Sequence, residues 1–200
     1  MEIRNATFGP FSTNCYLVWE DPAHAVLIDA GYLPEAIAAK ARGLALTVDA
    51  ILVTHGHGDH MLGAEVLREM FACALYYPEA DLPYATGEFL GETYPVPHPQ
   101  HLLRGGEKLE LGGLTIDVLR VPGHTPGHVA FRIGDDLFPG DCLFYDSIGR
   151  TDLEGGDRES LYRSLGELLA LPDETRVYPG HGPRTTIGRE RWENPFLAGL

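Results

Sequence analysis

The chain has 200 residues, 29 acidic against 15 basic side chains, a formal net charge of −14 and 44% apolar residues. That length can bury one substantial core, so a single domain over 1–200 is expected. So acidic a chain excludes the clustered Lys and Arg of nucleic-acid binding, and no apolar run approaches the ~18 residues of a membrane span.

In chain order, residues 3–8, 15–20 and 25–29 read as strands, the last ending on the turn signal Asp29-Ala30-Gly31. Residues 34–42 are Ala-rich with Pro34 at the start and Gly43 at the end, which predicts a helix. A short buried strand over 50–53 runs into a histidine-rich segment. Leu62, Val66, Leu67 and Met70 then give helical spacing over 61–71. Residues 72–77 read as a strand. The Pro-rich stretch 78–104 is long for a connection, so it is expected to be partly helical or a functional lid. Strands are expected over 114–121, 129–133, 136–139 and 176–178, and a helix over 158–171 that Pro172 stops. The order suits an α+β fold of two mixed sheets face to face with helices outside.

The chemistry concentrates in Thr54-His55-Gly56-His57-Gly58-Asp59-His60. Imidazole nitrogen and carboxylate oxygen suit zinc and iron, and small glycines let neighbouring side chains converge. Taken singly, His55 and His57 would be ordinary turn residues and Asp59 a helix cap; the spacing argues for a metal site. Three more glycine-rich turns follow predicted strands and carry ligand-type residues: Pro122-Gly123-His124-Thr125-Pro126-Gly127-His128, Gly140-Asp141-Cys142 and Pro179-Gly180-His181-Gly182. Loops on a rigid scaffold are where such sites are assembled. The three cysteines form no CxxC pair and read as reduced, buried thiols of a cytoplasmic protein, and no secretion signal shows in Met1-Glu2-Ile3-Arg4-Asn5.

These motifs, with Asn14-Cys15-Tyr16, the stretch Ser147 to Asp152 and the tail Thr185 to Arg191, resemble the metallo-β-lactamase superfamily, in its glyoxalase II-like branch. The resemblance implies an αββα four-layer sandwich with two divalent metal ions, zinc first and iron or manganese as alternatives. By position, His55, His57 and His124 would hold one metal, Asp59, His60 and His181 the other, and Asp141 would bridge them. Asp59 would also orient the attacking water, a catalytic role. His128 is expected behind the site, and Asp29 either orients the metal loop or is a plain turn residue. His24, His98 and His101 match nothing and read as surface residues.

The activity implied is hydrolysis of a small-molecule acyl-thioester such as S-lactoylglutathione by a metal-bound hydroxide. The pattern departs from the longer glyoxalase II enzymes: their helical C-terminal domain has no counterpart here, Arg150 replaces a substrate-binding lysine, and Asp152 and Pro183 replace tyrosines. Arg150 keeps the charge and can grip a carboxylate. Tyr84, Phe89 and Tyr94 are candidates for the entrance or for ordinary packing. Two other readings compete. A persulfide dioxygenase of the same superfamily would place one iron on His55, His124 and Asp141, with Leu153 where that branch has an aromatic residue. A non-enzymatic metal-binding module would have a filled coordination sphere. A β-lactamase is disfavoured because Asp141 stands where a major branch has a cysteine. Oligomeric state is not legible.

Overall fold

Apolar segments near the N-terminus pair much as their patterning demands. The computed structural model describes residues 1–199. Strands β1 (Glu2–Phe8), β2 (Thr13–Trp19) and β3 (His24–Ile28) run antiparallel, and helix α1 (Pro34–Gly43) crosses to β4 (Thr47–Leu52), parallel to β3. Short α2 (Gly58–Met61) and α3 (Ala64–Phe71) lead to β5 (Ala74–Pro78), again parallel. A 3-10 turn (Glu79–Tyr84) and a small hairpin, β6 (Glu88–Phe89) and β7 (Glu92–Thr93), precede β8 (His101–Leu103), which closes this six-stranded sheet. The second sheet, also six-stranded, holds β9 (Lys108–Leu111), β10 (Leu114–Arg120), β11 (Val129–Ile133) and β12 (Asp136–Gly140). A hairpin, β13 (Leu143–Phe144) and β14 (Ser147–Ile148), and helix α4 (Arg158–Leu169) intervene. Strands β15 (Arg176–Pro179) and β16 (Thr185–Thr186) then complete the sheet, followed by α5 (Ile187–Glu193).

Alternation along the strands sets four layers. Tyr16, Val18, Val26, Ile28, Ala50 and Leu52 face Ile116, Val118, Phe131 and Phe138 between the sheets. Their neighbours Leu17, Leu27 and Ile51 point the other way, onto Ile37, Ala41 and Leu67 of α1 and α3. On the far side, Leu137 and Val177 meet Leu161 and Leu165 of α4 and Ile187 of α5. The αββα sandwich expected from the sequence is the observed one.

Two parallel pairs, β3 with β4 and β12 with β15, bring their C-terminal ends to one edge of the sandwich. Asp29, the segment from Thr54, Asp141 and His181 follow those ends directly. The helix expected over 61–71 is broken at Gly63. There the backbone N–H donates to the Ala30 carbonyl at 2.7 Å, and a Cβ would lie 2.6 Å from the Gly31 oxygen. The turn after β3 thus packs against the segment from Asp59 to Gly63 through bare backbone. No helix among the described residues is long and apolar enough to cross a membrane.

Candidate metal centre

Seven side chains singled out in the sequence converge at that edge. The nitrogens of His55, His57 and His124 lie within 4.8 Å of one another, as do ligand atoms of His55, His60 and Asp141, and of Asp59, His60 and His181. His57 Nδ1 faces His124 Nε2 at 2.9 Å, and His60 Nε2 faces His181 Nε2 at 3.3 Å. Asp141 lies between the two groups, 3.3 Å from His60 and His181 and 3.6 Å from His124. Asp59 Oδ2 is 3.3 Å from His181 Nε2.

The outward atoms are anchored. His60 Nδ1 meets Asp29 Oδ2 at 2.8 Å, His55 Nδ1 meets the Thr54 hydroxyl at 3.0 Å, His124 Nδ1 donates to the Arg150 carbonyl at 2.8 Å, and His181 Nδ1 to the Phe11 carbonyl at 3.0 Å. An imidazole oriented by its outer nitrogen offers its inner lone pair to a cation. The inner Nε2 of His55 is buried with no hydrogen-bond partner among the described residues. Inward nitrogens packed against each other and against carboxylates leave lone pairs that only protons or cations can satisfy. The donor set, imidazoles and carboxylates without thiolate, fits divalent zinc, iron or manganese.

Charge follows from this crowding. Burial and the neighbouring His60 hold His55 well below its usual range, and burial with His124 brings His57 down to about 4. Burial opposes charge on His181 too, but Asp141 and Asp59 push it up to about 10. His60 likewise rises against its burial, because Asp141, Asp59 and Asp29 surround it. Asp141, although buried, is held well below the carboxylate range by His60 and His181.

The model of the metallo-beta-lactamase superfamily matches residues 8–181. The chain belongs to the metallo-beta-lactamase superfamily. Among relatives, the hydroxyacylglutathione hydrolase GloC of Haemophilus influenzae is 37% identical, over 94% of this chain and 93% of its own. The B3 metallo-beta-lactamase BLEG-1 superposes with a TM-score of 0.94 at 37% identity, covering 99% of this chain and all of its own. TTHA1623, solved in a di-iron-bound form, superposes with a TM-score of 0.89 at 44% identity, over 97% of this chain and 100% of its own.

Other residues around this superfamily site were less legible. Asp29 stands as the orienting residue: besides His60 it accepts from the Thr54 N–H at 2.8 Å and the Thr54 hydroxyl at 3.0 Å. Asn14 and Tyr16 reach across from the first sheet. The Asn14 amide donates to the carbonyls of Pro179 and Gly182 at 3.0 and 2.9 Å, and the Tyr16 hydroxyl to Pro179 at 2.7 Å, which pins the His181 turn. Thr13 donates to Asp59 Oδ2 at 2.9 Å.

Asp81, in the Pro-rich stretch, gave no signal in the sequence. It is fully buried and accepts from the Gly56 N–H at 2.8 Å, the Gly127 N–H at 2.6 Å and the Thr125 hydroxyl at 2.6 Å. Burying a carboxylate costs several kcal/mol. Three charge-assisted hydrogen bonds at roughly 1.5–3 kcal/mol each offset that. The carboxylate staples the loop of His55 and His57 to the loop of His124.

His128 is fully buried, its ring 4.8 Å from that of His55. His24 pairs with Asp49 at the surface, exposed His98 with Glu65, and His101 stacks on Tyr76.

A cleft of about 510 Å³ opens over the cluster, lined by His57, Asp59, His124, Asp141 and His181 and walled by Phe11, Phe89, Leu90, Phe144, Ile148 and Leu153. Of the three aromatic candidates for the entrance, Phe89 lines it. Tyr84 lies against Gly155, and Tyr94 packs on the first core. Arg150 also lines the cleft, but one edge of its guanidinium, Nε and Nη2, donates to the two Asp152 oxygens, each at 2.7 Å.

Proposed function

We propose that the protein is a binuclear metal-dependent thioesterase related in activity to hydroxyacylglutathione hydrolase, acting on a small-molecule acyl-thioester. The supporting observation is the convergence of His55, His57, His124, Asp141, Asp59, His60 and His181, with the outer nitrogens of His55, His60, His124 and His181 anchored. The name of the GloC relative supports the substrate class. Two divalent cations, zinc by preference, would supply carbonyl polarisation and a water acidified to a pKa of about 7.

The chain's own groups do the rest. His55, His57 and His124 form one binding set, Asp59, His60 and His181 the other, with Asp141 shared. Asp59, held ionised against its burial by His60 and His181, orients the attacking water and accepts its hydrogen bond, while the Thr13 hydroxyl fixes Oδ2. The apolar walls exclude bulk water around the thioester. Addition of water to the carbonyl and loss of thiolate give a carboxylic acid and a thiol. Arg150 is the cation nearest the mouth for an anionic substrate group. Cytoplasmic location is proposed with this reading, because Cys15, Cys73 and Cys142 are free thiols.

Zinc-loaded and iron-loaded protein assayed on a panel of acyl-thioesters tests the proposal; absence of hydrolysis with either metal overturns it. A second reading, β-lactam hydrolysis, is favoured by the likeness to BLEG-1, and a chromogenic cephalosporin on the same samples separates the two. Oxygen uptake with a glutathione persulfide would point instead to the dioxygenase.

A further inference from the structure

The hairpin of β6 and β7 overhangs the metal cleft, and its tip is built against local preference. Phe89 pairs with Glu92 across a two-residue connection, Leu90-Gly91, in which both φ angles are positive, 51° and 81°. This is the pattern of a type I′ turn, whose first position favours Gly, which has no Cβ to crowd the carbonyl in a left-handed backbone, and Asn or Asp, whose short polar side chains offset the crowding with local hydrogen bonds. Leu90 occupies it, and its side chain is 68% exposed. Backbone strain and an exposed large apolar group thus fall on one residue, which joins none of the core clusters among the described residues. The neighbouring hairpin of β13 and β14 offers an internal contrast. Its left-handed position is held by Asp146, a residue type that tolerates it. Leu33, Ala45 and Ala72, also left-handed, flank helices rather than tip a hairpin.

The hairpin is fixed over the site rather than loose. Phe89 packs so closely on Gly58 of the metal loop that a Cβ there would lie 2.4 Å from its ring, and its ring meets Phe11 edge-on at 6.1 Å. Leu90 is thereby held on the same wall of the cleft as Phe11 and Phe89. Strain retained at a site edge points to a use there.

We infer that Leu90 is a specificity-determining residue that, with Phe11 and Phe89, grips an apolar acyl chain, so that the preferred thioesters carry a longer hydrocarbon acyl group than lactoyl. The grip rests on the thioesterase reading for its chemistry but not for its binding. Burying methylenes against this wall strengthens binding by up to about fourfold for each one. Arg150 lines the same cleft, with Asp152 engaging one edge of its guanidinium.

The test compares metal-loaded wild type with Leu90→Asn and Leu90→Gly on S-acetyl, S-butyryl, S-hexanoyl and S-octanoyl esters of one thiol. In the wild type, kcat/KM rises with chain length through KM. In both variants the slope of kcat/KM with chain length flattens, and the melting temperature holds or rises, because the tip strain is relieved. An equal slope in variant and wild type, or none in the wild type, overturns the inference. A parallel calorimetric titration with non-hydrolysable S-methyl, S-butyl and S-hexyl thioethers separates the two claims. If no thioester is cleaved but affinity for the thioethers still grows with length and depends on Leu90, the grip stands and the reaction assignment falls. If affinity is flat, the grip falls whatever the reaction.

Discussion

At the scale of single residues, the least conspicuous carboxylate holds the two loops of one binding set together. Asp81 accepts three hydrogen bonds from the segments that carry His55, His57 and His124. Asp81→Asn keeps the shape but puts an amide N–H where one of the three donors needs an acceptor. Loss of an outer support of this kind typically weakens metal binding by about 10–100-fold. On the proposed two-metal reading, chelator competition should show one metal released that much more readily, with the other retained; equal retention of both would contradict the role. Asp152 presents the opposite case, a surface carboxylate that occupies a useful cation. Asp152→Asn frees the Arg150 fork and should lower KM for thioesters of anionic thiols while leaving kcat within about twofold, since an exposed pair contributes only about 0–1 kcal/mol to stability. An unchanged KM would mean that Arg150 does not meet the substrate.

At the scale of elements, the ends of parallel strands place the converging histidines and aspartates, and close backbone approach holds those ends together. Gly180 shows how little room is left: a Cβ there would lie 2.1 Å from Asp141 Oδ1 and 2.6 Å from the His60 ring. Gly180→Ala must move the shared carboxylate. Overpacking costs about 1–3 kcal/mol, and a shift near 1 Å at reacting groups costs about 10²-fold in rate. Wild-type-like kcat in that variant would show that Asp141 does not need its observed place.

The central strands were legible as short continuous apolar runs, because both of their faces are buried, as Tyr16 and Leu17 or Ile51 and Leu52 are. The histidines and aspartates that converge were legible because they share glycine-rich turns. Asp81 was not, since a lone Asp in a Pro-rich stretch has no period and acts only through distant backbone N–H groups. The break at Gly63 was hidden for a related reason: it answers to Ala30 and Gly31, not to its own helix. The short strands β6, β7, β13 and β14 are too brief to show any alternation.

For the whole molecule, the crowding of imidazoles and carboxylates couples metal, protons and stability. His60 and His181 are raised above the usual 6.5, so in the metal-free chain their contribution to folding is full below that value and is lost as pH rises through their folded values, about 10 for His181. His55, His57 and His128, lowered chiefly by burial, act in the other direction, and stability falls as pH drops below 6.5. Metal-free thermal stability should therefore be greatest near pH 6.5 and decline on both sides; a steady rise from pH 6 to 9 would contradict it. Metal entry at pH 7 competes with protons on His60 and His181, so calorimetry in buffers of different ionisation enthalpy should record a net release of protons.

The most direct test of the binuclear centre is to titrate metal-free protein with zinc while following thioester hydrolysis and bound metal in the same sample. Activity should climb to a plateau at two ions per chain. Full activity at one ion, or activity indifferent to metal, would contradict a shared two-metal site.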